Sequence, residues 1–448
     1  MQNDFTKGSV LKNIAIFSGP YLLSYLLQTL YGLADMFIVG QFNGSAVTAA
    51  VSSGSQVMHM VTVVVVGLAM GSTVIISRSL GAGEKKRVAK AIGNTVTLFI
   101  GVALLLTALL ILFTKPIVNV MQTPQESVYQ TTLYLIICFA GVPFIVAYNI
   151  ISSIFRGLGD SKSPMYFIAI ACITNVALDI VFIGVLDMKA AGAALGTVIS
   201  QTLSVIIALI AIKVRKMGVK VSKGDLIPEK RMMGDILKIG LPVCAQDSFI
   251  QVSFLIITAI ANSYGPDIAA AVGITEKIIG MLFLVPSTML STVSALCAQN
   301  VGAKLHHRAK KVLWYGVFIT AGFGLLAAVV CQFTAEPLVG LFTNEPAVIE
   351  YGGQYLRSYV WDCLPAGIHF CFSGYFCAYA MSMVSFVHNV ASIVLARIPG
   401  AYFAAKRFAP ETLFPMGLAS PLGSLVSVII CVGVYIFFQI RKSDRFTA

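Results

Sequence analysis

The sequence predicts an all-α integral membrane protein whose twelve transmembrane helices form two pseudo-symmetric six-helix bundles. Three observations lead there. Hydrophobic residues make up 57% of the 448 residues and charged ones only 11%, with a mean hydropathy of +0.87, a composition foreign to water-soluble domains. Apolar runs of about 20 residues recur from end to end, each long enough to cross a bilayer as a helix. The two halves of the chain also repeat one layout.

The first six runs are 14–40, 46–77, 91–113, 130–155, 164–187 and 190–212. The second six are 236–262, 268–298, 312–333, 351–377, 385–405 and 414–440. The start, MQNDFTKGSVLKNIAIF, lacks a small-residue cleavage site after a short apolar core, so it is expected to remain as an amphipathic lead-in. The nine cysteines, among them Cys138, Cys172, Cys297 and Cys371, fall inside the runs without CxxC spacing and read as small apolar packing.

A net charge of +12 raises the question of nucleic acid, but its distribution answers otherwise. Basic residues cluster at Arg78 to Lys90, Lys213 to Arg231, Lys304 to Lys311 and Arg441 to Arg445. The alternate loops hold only Lys115, Lys189, Lys406 and Arg407. This asymmetry follows the positive-inside rule and places both termini in the cytoplasm. The basic excess orients the chain in the plasma membrane, and no nucleic-acid partner is expected.

The repeat has an offset of about 221 residues. Pro20 answers to Pro242, SLGAGEKKRVAKA to QNVGAKLHHRAKKV, and Tyr134-Leu135 to Tyr355-Leu356. Six helices per copy is an even number, so both copies enter the membrane in the same direction, as parallel repeats with a substrate cavity expected between them. The expected organisation is an N-terminal bundle at 1–212, a basic cytoplasmic linker at 213–235 and a C-terminal bundle at 236–448.

Five carboxylates, Asp35, Asp179, Asp247, Glu276 and Asp362, sit inside apolar runs. An Asp near the bilayer centre costs about 2.5–3.5 kcal/mol on insertion scales, so such residues usually mark an ion or proton path. The basic residues well inside the same runs are Lys277, Arg357 and Arg397, too few to pair every acid. With the first run leaving the membrane near Gly40, Asp35 lies about five residues, or roughly 8 Å, below its outer end. Asp179 and Thr197 come out at similar depth. Asn175 is one turn from Asp179 on the same face. A carboxylate pair with an amide and a hydroxyl can share a proton or present several oxygens to a small cation. In the second half, Asp247 and Gln251 share a face, Glu276 adjoins Lys277, and Asp362 is placed to pair with Arg397. The histidines His59, His369 and His388 read as packed neutral imidazoles, while His306 and His307 read as part of a solvated loop.

Several stretches, in order, resemble the multidrug and toxin extrusion (MATE) transporters: Pro20 with LADMFIVG (33–40), RSLGAGEKKR after the second run, FRGLGDSKSPMYF (155–167) and GAALGTVISQ (192–201). The loop after the second run does not carry the Gly-x-x-x-Asp-Arg pattern of major-facilitator transporters. The second copy departs from the pattern at 377–385, where CAYAMSMVS stands in place of RGLGDSKSP. The resemblance implies ion coupling at Asp35, Asn175, Asp179 and Thr197, with Pro20 as a helix-one bend. It also implies a cation position at Asp362, while the acid of the seventh helix is replaced by Ile250 or Gln251, for which Asp247 could substitute.

The expected function is secondary antiport, exporting small cationic or amphipathic drugs against H+ or Na+ by alternating access. No cofactor is expected beyond the coupling ion, and sodium is the only metal under consideration. No P-loop and no nucleophile–base set occurs, so neither ATP hydrolysis nor another enzyme activity is expected. The expected protein is a monomer surrounded by membrane lipids. The alternative is a lipid-linked saccharide flippase of the same superfamily, disfavoured because such flippases tend to carry a cationic cavity whereas the intramembrane excess here is acidic.

Overall fold

The computed structural model of the protein describes residues 4–121, 123–215, 219–409 and 411–440. The basic cluster at Arg441 to Arg445 and linker residues 216–218 lie outside the described residues. Among those described there is no β-strand. The helices are α1 Val10–Phe42, α2 Ser45–Gly81, α3 Lys85–Leu112, α4 Thr114–Val120, α5 Gln125–Ala140, α6 Val142–Gly157, α7 Lys162–Asp179, α8 Lys189–Arg215 and α9 Lys230–Asn262. There follow α10 Pro266–Leu282, α11 Leu284–Gly302, α12 His306–Gly340, α13 Pro346–Tyr359, α14 Cys363–Ala378, α15 Ser382–Ser392, α16 Ile398–Phe408, α17 Phe414–Gly417 and α18 Ala419–Ile440.

Among the described residues ten helical segments are long and apolar enough to span a membrane, and an eleventh if the bent pair α5–α6 counts as one span. Twelve transmembrane helices were expected, and the two runs outside the ten are interrupted for local reasons. The fourth span bends by 49° between α5 and α6. There Gly141 lets Val198 close in, and Pro143 opens α6. The tenth, expected at 351–377, is broken by a single 3-10 turn at Val360–Asp362, just before Pro365. Pro20 sits inside a continuous α1, whose Ser24 Oγ donates to the Pro20 carbonyl at 2.9 Å.

The chain divides into two compact units, one comprising Gly19–Leu237 and the other Phe5–Ser18 with Lys238 onward. The first helix therefore contributes to both units, changing from one to the other just before Pro20. In the first unit α2 and α6 approach closely through small residues. Thr73 Oγ1 meets Ser153 Oγ at 2.9 Å, Ser153 Oγ also reaches the Ala69 carbonyl at 2.7 Å, and Ser77 Oγ donates to the Gly157 carbonyl at 2.9 Å. Such small polar contacts hold helices together where lipid removes the hydrophobic drive. A core around Tyr148, Phe155, Phe167 and Ile168 completes the packing of α6, α7 and α8.

The linker is docked on α3 within this unit. Asn94 Nδ2 donates to the carbonyls of Asp225 and Ile227 at 3.3 and 3.4 Å, and its Oδ1 accepts from the Glu229 amide at 2.7 Å. Ser222 donates to Asp225 from both amide and hydroxyl, which holds that carboxyl below its ordinary range.

In the second unit a larger core runs through Ile257, Ala271, Val272, Ala328, Tyr355, Leu356 and Tyr359. Pro242 inside α9 has no amide hydrogen, which frees the Lys238 carbonyl one turn back. Ser382 Oγ, at the start of α15, donates to that carbonyl at 3.0 Å. Ahead of α1, Phe5 is buried against Phe17, and its amide donates to Gln299 Oε1 at 2.8 Å. Arg308 Nη2 donates to the carbonyls of Phe5, Lys7 and Gly8 at 3.3, 3.2 and 3.1 Å. Gly8, with φ +71°, makes the turn into α1.

Candidate functional site

In the first unit the structure gathers Asp35 from α1, Asn175 and Asp179 from α7 and Thr197 from α8. All four are buried, Asn175 and Asp179 completely. Thr197 Oγ1 donates to Asp35 Oδ2 at 3.4 Å, and Asn175 Nδ2 approaches Asp179 Oδ1 at 3.5 Å. The Asp35 and Asp179 carboxyls are themselves within hydrogen-bonding reach of each other. Yet Asp35 Oδ1, Asp179 Oδ2 and Asn175 Oδ1 have no partner. Among the described residues no Lys or Arg makes an ion pair with either acid.

A buried polar atom without a partner is costly, and three such oxygens in a single place call for a donor or a cation between them. Two carboxyls this close cannot both stay ionised without a cation. The arrangement is suited to one shared proton or to a small hard cation held by oxygens. α7 gives way directly after Asp179 to a π-helical stretch, Ile180–Val185, a departure frequent at functional sites.

Two further residues complete this centre. Tyr31, one turn before Asp35, places its buried hydroxyl beside Thr197 and Ser200, within hydrogen-bonding reach of both. Gly196 lies under Asp179, where a Cβ would collide with Oδ1. The i, i+4 spacing of Tyr31 and Asp35 was available in sequence. Nothing marked Gly196 apart from its neighbour Thr197.

The second unit holds a separate centre. Glu276 Oε2 accepts from Thr258 Oγ1 at 3.2 Å, and its Oε1 has no partner. Asp362 is 2% exposed and its Oδ1 is also unpartnered. The expected Asp362–Arg397 ion pair is not formed; among the described residues Arg397 is in no ion pair. Its Nη2 donates instead to Tyr359 Oη at 2.6 Å, and its Cζ lies 4.5 Å from the centre of the Phe254 ring. Arg397 closes a π-helical stretch, Ile393–Arg397, and its guanidinium contacts residues of α9 and α13.

Asp247 is half-buried beside Gln246, whose amide is buried without partners, and Gln251 is half-buried too. Among the described residues no hydrogen bond or ion pair joins Asp247 or Gln251 to Glu276 or Asp362. His369 and His388 are buried with rings 5.4 Å apart, and His388 meets Ser373 Oγ at 2.9 Å. His59 is exposed rather than packed. His306 is not a free loop residue: it stacks on Tyr379 and meets its hydroxyl at 2.9 Å.

Two helical units built on one repeat, with buried charged groups in helices long and apolar enough to cross a membrane, define a multi-pass membrane protein. The MatE family matches residues 20–181 and 242–403, once in each repeat, and this chain belongs to that family. It is 28% identical over 397 residues to the probable multidrug resistance protein YpnP of Bacillus subtilis (strain 168), with 88% of each chain covered. It is 26% identical over 449 residues to the multidrug export protein MepA of Staphylococcus aureus (strain N315), covering 99% of this chain and 96% of that one. A crystal structure of MATE in complex with MaL6 shares the fold at a TM-score of 0.90 and 20% identity, covering 99% of both chains. An outward-facing multidrug resistance MATE transporter also shares it, with a TM-score of 0.90 and 20% identity over 99% of this chain and 98% of that one.

Proposed function

We propose that this protein is a secondary antiporter that exports small cationic or amphipathic compounds in exchange for H+ or Na+. The coupling ion is taken at Asp35 and Asp179, with Asn175 and Thr197 supplying the remaining polar contacts. The observation that carries this reading is the buried carboxyl pair with three unpartnered oxygens and no basic side chain in ion-pair contact. Relatives named as multidrug export proteins support the substrate class.

One ion entering lowers the negative charge of the pair by one and weakens its hold on a cationic substrate, which gives exchange rather than co-transport. Pro20, at the change from one unit to the other along α1, is where that helix adjusts. Alternating access follows if the two bundles rock so that the substrate path opens to one side of the membrane at a time. The basic residues of Arg78 to Lys90 and of Lys304 to Lys311 occupy the same turns of the two repeats, after α2 and after α11, which supports cytoplasmic termini.

Stoichiometry sets the driving force. One charge moving through 100 mV supplies about 2.3 kcal/mol, equivalent to a roughly fifty-fold gradient. A monovalent drug exchanged one for one with a proton forgoes that term and uses the pH difference alone. The test is counterflow in proteoliposomes with pH and sodium gradients imposed separately. Export driven by either gradient is expected; uptake or export indifferent to both would overturn the reading.

A further inference from the structure

The charged centre of the second unit sits on the repeat of the motif that builds the first. GAALGTVIS (192–200) recurs as GLASPLGSLVS (417–427), aligning Gly196-Thr197 with Gly423-Ser424. In the first unit a Cβ at Gly196 would meet the side chains of Asp179 and Asn175. In the second a Cβ at Gly423 would stand 3.2 Å from Arg397 Cβ and 3.0 Å from Ser392 Oγ. Each glycine thus admits the helix that carries a charged group, an acid in one unit and a guanidinium in the other. Ser424, the counterpart of Thr197, lies by Asp362 as Thr197 lies by Asp35.

We propose that Arg397 is a tethered cation, filling in the second unit the role that a soluble coupling ion takes in the first, and so making that unit indifferent to external monovalent cations. The surroundings fit a cation. Phe254 offers a ring face, Tyr359 a hydroxyl oxygen, and Asp362 and Glu276 act on the guanidinium electrostatically without direct contact. Arg397 Nε, Asp362 Oδ1 and Glu276 Oε1 are all unpartnered, so the centre is held by field and ring rather than by a closed salt bridge. One guanidinium between two acids leaves a single negative charge. The inference goes beyond the proposed antiport and holds whichever ion drives it.

Truncating Arg397 should leave a cation-shaped vacancy. The experiment measures melting temperature in detergent with choline, sodium or methylguanidinium chloride at equal ionic strength, in an Asp35→Asn background so that the first unit contributes no sodium response. With Arg397 intact, no cation dependence is expected. With Arg397→Ala, sodium or methylguanidinium should raise the melting temperature by about 2 °C or more over choline. Adding Asp362→Asn should abolish that rise. An Arg397→Ala protein that responds to neither cation overturns the proposal, as does a sodium response with Arg397 intact. Should Arg397→Ala fail to fold, Arg397→Met combined with Asp362→Asn decides. A double variant more stable than Asp362→Asn alone supports the tethered cation, and additive losses refute it.

Discussion

Asp179 Oδ1 rests against Gly196, at the place a Cβ would occupy. The contact fixes where one carboxyl of the buried pair stands, because α7 and α8 can approach this closely only over a glycine. Overpacking a site of this kind costs about 1–3 kcal/mol through displaced side chains. Gly196→Ala should therefore insert and fold but push Asp179 away from Asp35, with loss of gradient-driven efflux in everted vesicles. Gly101→Ala, where nothing lies within 4 Å, is the matched control and should behave as wild type. Equal efflux by all three proteins would show that Asp179 does not need this position.

Asp35→Asn removes one member of the pair and fixes it in a neutral form. Insertion should be normal, since deleting a buried charge relieves a cost. Substrate added to the purified wild-type protein in weak buffer should release about one proton or, in the sodium-driven case, exchange one sodium ion. The variant should release neither and should lose gradient-driven efflux. Retained efflux at the wild-type rate with intact ion dependence would remove Asp35 from the coupling role.

Asp35 and Asp179 stood out because an acid within an apolar run is expensive, Asn175 because it lies four residues from Asp179 on a helix face, and Thr197 through its depth and the family resemblance. Gly196 did not, being one helical glycine among 38 in the chain. The second centre was harder for a geometric reason. GLASPLGSLVS is two residues longer than GAALGTVIS, so a constant offset of about 221 pairs the wrong positions. Arg397 also takes its partners from Phe254 and Tyr359, far away in sequence, where charge alone pointed to Asp362. Interruptions inside a span were not legible for the same kind of reason. Hydropathy sees one apolar run at 351–377, whereas the backbone turns at Val360–Asp362.

Ser382 and Pro242 form a compensating pair. The proline frees the Lys238 carbonyl and the serine hydroxyl takes it up at 3.0 Å. Ser382→Ala should cost about 1 kcal/mol, the usual worth of one such bond. Pro242→Ala restores an amide hydrogen one turn ahead of that carbonyl, so the double variant should recover most of the loss. Thermal unfolding of the four proteins measures the coupling, and purely additive shifts would mean that the hydroxyl does not serve the freed carbonyl.

Arg308 gathers the segment ahead of α1 onto the second unit. Its guanidinium spans three backbone carbonyls, of Phe5, Lys7 and Gly8, while Nε donates to Asn300 Oδ1 at 3.2 Å. Guanidinium donors make stronger bonds than neutral ones, and the fork geometry lets one side chain replace several. Lys cannot reproduce that fork, so Arg308→Lys should loosen the segment almost as much as Arg308→Met. Opening of the segment exposes the bond after Lys7 to trypsin. Loss of about 1.4 kcal/mol of local stability corresponds to a roughly tenfold faster cut in the regime where opening is rapid. Phe5→Ala should act in the same direction, since it empties the buried site against Phe17. Cleavage after Lys7 at the wild-type rate in all three variants would mean that the segment is held by something other than these contacts.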